Sequence, residues 1–262
     1  SLTQISFPSS VTSIEENAFN NCSSLTKISL SSSLTSIKER TFSGCSLLKE
    51  ITIPSSVTCI GDHAFDGCSS LEELTIPSSV IYICNYAFNG CSSLREITIL
   101  PSVTEIGNSA FRGCSSVEKI LIPSSVTLIC AFAFAECSSL SEISIPSSVN
   151  RIGSNVFSEC TSLKNVNIPS SVTQLRDYVF NGCSSLEQIS IPSSILNIGD
   201  FAFFSCSSLK QIVIPNSVTK IGKGAFQYCT SLTQVDFENP SSLNEIGDYA
   251  FRGCSSLVSI SI

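Results

Sequence analysis

The chain's main candidates for chemistry are fourteen cysteines and a single histidine, His63. Thiols can close disulfides, hold zinc or act as nucleophiles, and their spacing decides among these. Ten of them, Cys22, Cys45, Cys68, Cys91, Cys114, Cys137, Cys160, Cys183, Cys206 and Cys229, are spaced by 23 residues, and Cys254 follows after 25. No C-x-x-C pair occurs, and one histidine cannot supply a row of mixed zinc sites. Cysteines in one column of a stacked repeat would lie about 5 Å apart, inside the disulfide Cα range, but with parallel side chains. They are expected to be unpaired thiols acting as small hydrophobes. Cys59, Cys84 and Cys130 lie outside the column. Cys84 and Cys130 take a slot usually held by Gly, two units apart and too far for a bridge.

The other reactive residue types point to no enzyme. The serines recur with the repeat rather than in a nucleophile elbow. The glycines occupy repeat turn slots, not a phosphate-cradling loop. Glu72 and Glu73 are adjacent, so in a strand they would point to opposite faces. No motif fixes a catalytic partner near His63. The chain is therefore read as non-catalytic, with no cofactor and no metal site.

The cysteine spacing points back to the elements that carry it. Dividing 262 residues by 23 gives about eleven units, and a period in this range signals a repeat array rather than ordinary globular domains. A Phe stands three residues before each column cysteine, from Phe19 to Phe251. The unit reads L-x-x-I-x-I-P-x-S-V-T-x-I-G-x-x-A-F-x-x-C-S-S, with one clean copy from Leu71 to Ser93. Ile97-Thr98-Ile99 alternates with period two, as a short strand with one buried face does. Pro54, Pro77, Pro123, Pro146, Pro169, Pro192 and Pro215 end that strand, because Pro cannot donate to a ladder. Stacking units at about 4.8 Å joins the strands into a parallel sheet. A second short strand is expected around Val57 to Ile60, then a turn or one helical turn around Ala64 and Phe65. Helical spacing of Ile60, Ala64, Phe65 and Cys68 offers an alternative, but Gly61 and the β-branched residues oppose a long helix. The Phe column is expected to be the main core element.

Charged residues make up 13% of the chain, and the net charge is −7 with pI near 4.8. A basic face for sequence-independent nucleic-acid binding is lacking. No apolar run approaches the roughly 20 residues of a membrane-spanning helix. Asn21-Cys22-Ser23 is the only N-glycosylation sequon, and its cysteine falls on a core position.

Ile76-Pro77-Ser78-Ser79-Val80, followed by Ala87-Phe88-Asn89-Gly90-Cys91-Ser92-Ser93-Leu94, resembles the BspA-like class of leucine-rich repeats. This class is also called the Treponema pallidum type. The resemblance extends over essentially the whole chain. Ser31 in place of Pro and the shifted Leu100-Pro101 are its small departures. It implies a leucine-rich-repeat horseshoe, a repeat solenoid of about eleven 23-residue units. A parallel β-sheet would line the concave side, with short strands and turns on the convex side. It also implies a bacterial or protozoan surface protein, secreted or cell-bound, that adheres to host matrix or cell-surface proteins.

If the Ile-x-Ile strand faces inward, its neighbours face the open concave surface. One row then carries Glu50, Glu73, Glu96 and Glu142, with Lys27 and Lys119 among them; the next carries Thr52, Thr75 and Thr98. These seven Glu and Thr residues are the candidate partner-binding site. Three consecutive Glu at about 5 Å would repel mildly in water. The row is either an acidic patch for a basic partner or a cation, or an ordinary solvated face. A second row, His63, Tyr86, Phe132, Tyr178, Phe201 and Tyr249, either offers contact anchors or covers neighbouring turns. The Thr row also raises ice or crystal binding, but Leu121, Asn167 and Val213 interrupt it.

Two functional expectations follow. One is a protein-binding adhesion module using the concave face. The other is an intracellular scaffold on the same solenoid, favoured by a dozen unpaired thiols that suit a reducing, cytoplasmic compartment. Residues 1–262 read as one solenoid cut in mid-repeat at both ends. That predicts a piece of a longer, uncapped array, or ends that stack on another chain.

Overall fold

Each 23-residue unit forms one coil carrying two short strands. The computed structural model describes residues 2–261; twenty strands and no helix occur among them. The first strand of each coil joins a parallel ladder. It runs through Gln4–Ser6 and Lys27–Ser29, then Glu73–Ile76, Glu96–Ile99, Lys119–Leu121, Glu142–Ser144 and Asn165–Asn167, then Gln211–Ile214, Gln234–Phe237 and Ser259–Ser261. Single backbone pairings, Lys27 with Glu50 and Asn167 with Ser190, extend the ladder into the two intervening coils. Leu74 and Ile76 point inward while Glu73 and Thr75 point out, the alternation expected of a half-buried strand.

The second strand is only two residues long, as in Cys59–Ile60, Tyr82–Ile83, Glu105–Ile106, Leu128–Ile129 and Arg151–Ile152. These strands also pair in parallel with the next coil. The two extra residues near Pro240 shift register without breaking either ladder, since Lys220 pairs with Glu245 and Gln234 with Ser259.

The segment around Ala64 and Phe65 is a run of turns, not a helix. Ala64, Asp66 and Cys68 N–H donate to carbonyls three residues back. The alternate residues His63, Phe65 and Gly67 donate down the stack, to Asn85, Ala87 and Asn89 carbonyls at 2.9, 2.8 and 2.7 Å. Half the donors are spent between coils, so no helical ladder can form. The arrangement places two left-handed residues in each coil, such as His63 (φ 55°) and Gly67 (φ 73°). The second of these columns holds Gly44, Gly67, Gly90, Gly113, Gly182 and Gly253, but also Asn21, Glu136, Glu159, Ser205 and Tyr228, with Ser205 at φ 57°. A left-handed non-Gly residue costs roughly 1–2 kcal/mol, against about 0.5–1 for the extra freedom of Gly. Ser205→Gly is expected to raise unfolding free energy by roughly 0.5–1 kcal/mol by urea titration. A loss of stability would show that the turn is not strained there.

The core lies between the two ladders and the turns. The column phenylalanines from Phe42 to Phe226, one per coil, are fully buried, and successive rings stack, from 5.1 Å for Phe203 and Phe226 to 6.0 Å for Phe134 and Phe157. The cysteine column has a second role beside packing. The Cys68 thiol donates to the Phe42 carbonyl of the preceding coil at 3.2 Å, and the same contact recurs at Cys91, Cys114, Cys137 and onward to Cys254. Serine hydroxyls do likewise on the coil's edges, as Ser125 to Val103 O at 2.6 Å and Ser69 to Ser46 O at 3.3 Å. No buried side-chain nitrogen or oxygen lacks a partner among the described residues. The Ser-rich composition thus caps carbonyl groups along the stack.

Candidate functional site

Parallel pairing in register puts equivalent residues of successive coils side by side. Glu73 lies beside Glu96, Thr75 beside Thr98, Glu96 beside Lys119 and Glu142 beside Asn165. Glu50 and Thr52 sit on the adjoining coil, joined through the Lys27 pairing. All seven predicted residues therefore share one face. Six are exposed, and Thr98 is half-buried.

The charge pattern is more balanced than an acidic row. Lys27 Nζ lies 3.2 Å from Glu50 and Lys119 Nζ lies 3.7 Å from Glu142. Both pairs are exposed and each contributes at most about 1 kcal/mol. Glu73 and Glu96 stand between these pairs and have no ion partner of their own among the described residues. Arg95 and Lys49 stand on the neighbouring exposed column. Further along, the Lys210 ammonium donates to Glu187 at 2.9 Å and holds that carboxyl below its usual range.

Two of the open depressions on this face are bordered by Leu121 or Val213. One, of about 780 Å³, is bordered by Arg95, Glu96, Thr98, Lys119 and Leu121. The other, of about 540 Å³, is bordered by Gln188, Lys210, Val213 and Asp236. Leu121 is 64% exposed and Val213 49%. In the sequence both stand only as interruptions of the Thr row. Their outward position in a polar row was the available signal that they are apolar contact points.

The aromatic row lies on the turn side. His63 stacks on Tyr86 at 4.5 Å and Tyr178 on Phe201 at 5.0 Å. Arg112 lies over Phe132 and Arg252 over Tyr249. His63 Nδ1 also contacts Asp66 at 2.8 Å. The side chains cover neighbouring turns, while Tyr86, Phe132, Tyr178 and Tyr249 keep a third or more of their surface open. Every one of the six adopts a left-handed backbone. Among the described residues no group of three potential metal ligands comes together, and no helix is long and apolar enough to cross a membrane.

Stacked coils with a parallel ladder on one face define a leucine-rich-repeat solenoid. The chain belongs to the BspA type leucine-rich repeat family, whose pattern matches in six copies over residues 1–115, 60–187 and 173–262. A leucine-rich repeat protein from Bacteroides ovatus is 34% identical over 99% of this chain and 78% of its own, with a TM-score of 0.74. A leucine rich cell surface protein from Faecalibacterium prausnitzii is 32% identical over 99% and 79%, with a TM-score of 0.63. The T. pallidum leucine rich repeat protein is 31% identical over 67% of this chain and 78% of its own, with a TM-score of 0.56. No curated protein matches the chain. Proteins of this repeat fold are generally non-enzymatic scaffolds that bind other proteins.

Proposed function

We propose that the chain is a non-catalytic protein-binding module that works in surface adhesion or host interaction and docks its partner on the concave ladder. The observation that carries this reading is the outward row itself: Glu50, Glu73, Glu96 and Glu142 beside Thr52, Thr75 and Thr98, with Leu121 exposed among them. An apolar anchor within a polar, mixed-charge rim is the composition of a protein contact surface. The relative from Faecalibacterium prausnitzii described as a cell surface protein supports the location. The occupant this face favours is a host matrix or cell-surface protein with a basic patch, because Glu73 and Glu96 stand between the two lysine-paired glutamates.

Reversing Glu50, Glu73 and Glu96 to Lys is expected to weaken capture of such a partner about tenfold or more, roughly 1.4 kcal/mol. Higher salt should mimic the loss. Affinity pull-down from the native environment with both proteins, followed by titration at two ionic strengths, measures it. Unchanged affinity would remove these glutamates from the site. Because the three side chains are exposed, melting temperature should stay within a few degrees.

A second reading, an intracellular scaffold, is favoured by one observation. All fourteen cysteines are unpaired in the structure, as suits a reducing compartment. Protease shaving of intact cells separates the two: a surface module is cut and a cytoplasmic scaffold is not.

A further inference from the structure

Cys59 and Cys84 stand apart from the buried thiol column. Cys59 is exposed in the short strand Cys59–Ile60; Cys84 directly follows the next coil's strand, Tyr82–Ile83, and is partly buried. Ile60 pairs with Ile83, and both point inward. Cys84 therefore lies diagonally across from Cys59, one coil on and two residues along, on the same outward face. Diagonal neighbours on a sheet are about 7–8 Å apart at Cα, and a disulfide needs up to about 6.8 Å.

The bridge therefore needs a shift of about 1 Å between the two coils, and two observations favour it. First, the ladder pairs through one residue fewer at this step than at the steps on either side of it. The coils on either side pair through two residues, Ser36 with Cys59 and Ile37 with Ile60, then Tyr82 with Glu105 and Ile83 with Ile106. Between them only Ile60 and Ile83 pair, so no ladder register ties Cys59 to Tyr82. Second, the same diagonal is bridged two coils later, where the Cys130 thiol donates to Glu105 Oε1 at 3.3 Å. Burial, followed by the charge of the Cys59 thiol beside it, pushes the Cys84 thiol up to about 12.

We propose that Cys59 and Cys84 form a redox pair that a low-molecular-weight disulfide closes into an intrachain bridge, fastening two consecutive coils across the outer ladder. Cys59 is the entry thiol because it is the exposed one. Its thiolate, having released its proton to solvent, attacks one sulfur of the small disulfide. A bond forms from Cys59 Sγ to that sulfur, the small S–S bond breaks, and the first small thiolate leaves and takes up a proton. Cys84 then loses its proton and attacks Cys59 Sγ, expelling the second small thiol. Two protein thiols are oxidised and one small disulfide is reduced to two thiols. The high titration point of Cys84 makes the second step the slow one at neutral pH. The column thiols are spared by burial and by their hydrogen bonds to Phe carbonyls. Cys130 has Glu105 rather than a thiol at its diagonal. The pairing is independent of what docks on the concave face.

The test is incubation of the folded chain with oxidised glutathione, read by intact mass, thiol titration and peptide mapping. The expected result is a loss of two hydrogens per chain, two fewer free thiols than the original fourteen, and one linked peptide pair joining Cys59 to Cys84. Cys84→Ser and Cys84→Gly should each stop at a single glutathione adduct on Cys59. The Gly variant restores the residue found at Gly61, Gly107 and Gly153, so folding is retained. Cys59→Ser should show neither adduct nor bridge, and Cys130→Ser should behave as the parent. An unchanged thiol count, a stable adduct on the parent chain, a bridge to any other cysteine or between chains, or bridging in Cys59→Ser would each overturn the proposal.

Discussion

Replacing Phe134 by Ala should cost about 3–5 kcal/mol of unfolding free energy and split the urea transition into two steps. Phe134 is fully buried and stacked between Phe111 at 5.8 Å and Phe157 at 6.0 Å. Its ring packs against the coil interior and the rings above and below, so truncation opens a cavity that the rigid ladders cannot collapse around. In a solenoid each coil is held only by its neighbours, so stability is close to a sum of coil and interface terms. A defect at a central coil weakens two interfaces at once and uncouples the halves on either side. The same change at Phe19, which is only partly buried near the first coils, removes less packing and should cost less. Circular dichroism and intrinsic tyrosine fluorescence, followed in parallel through the titration, would report the two halves separately. A single transition with a midpoint close to that of the parent would mean that the Phe column does not couple the coils.

Much of this architecture is legible in the sequence because the coil is short and repeats its chemistry. The 23-residue step of Phe and Cys sets the number of coils, and the alternation in Ile97-Thr98-Ile99 sets which side chains face out. The outward row of Glu50, Glu73 and Glu96 follows from that alternation alone, and the structure places those residues as the periodicity predicts. Four things were not legible, each for a physical reason. The left-handed backbone at His63, Tyr86 and Phe132 is imposed by alternate N–H groups bonding to the next coil, and bulky side chains give no hint of it. The lysine pairs at Glu50 and Glu142 depend on side-chain rotamers, which row order does not specify. The approach of Cys84 to Cys59 runs along a diagonal of 25 residues, not along the 23-residue column, so comparing cysteines unit by unit, as with Cys84 and Cys130, passes over it. The column cysteines read correctly as small buried groups, but their thiols also donate to a carbonyl 26 residues back, a contact that exists only once coil pitch and turn shape are known.

That thiol column makes alkaline pH the condition under which the fold should fail. Nine of its cysteines are buried. Burial pushes Cys137 from the ordinary 9.0 up to about 12, and it pushes Cys68, Cys91, Cys114, Cys160, Cys183 and Cys206 well up from the same value. Below pH 9 both folded and unfolded chains hold these protons, and the thiols contribute nothing to pH dependence. Between pH 9 and about 12 the unfolded chain releases them and the folded chain keeps them. The unfolded state then binds fewer protons, so stability falls as pH rises. Each thiol contributes on the order of 1 kcal/mol per pH unit in that window. Nine acting together reach ~10 kcal/mol per unit, comparable to the whole stability of a typical domain. Cooperative unfolding is therefore expected within about one pH unit above the unfolded thiol's titration point. Urea titrations at half-unit steps from pH 7 to pH 11, under reducing conditions, would trace a plateau and then a steep fall. Cys137→Ala separates this cause from other alkaline effects. It lowers the plateau by removing a packed, hydrogen-bonded group, and it also makes the fall shallower by about one ninth, since one of the nine buried titrating groups is gone. A parent curve that stays flat to pH 11 would show that hydroxide and solvent reach the column, and with it that the coils are not closed around their thiols.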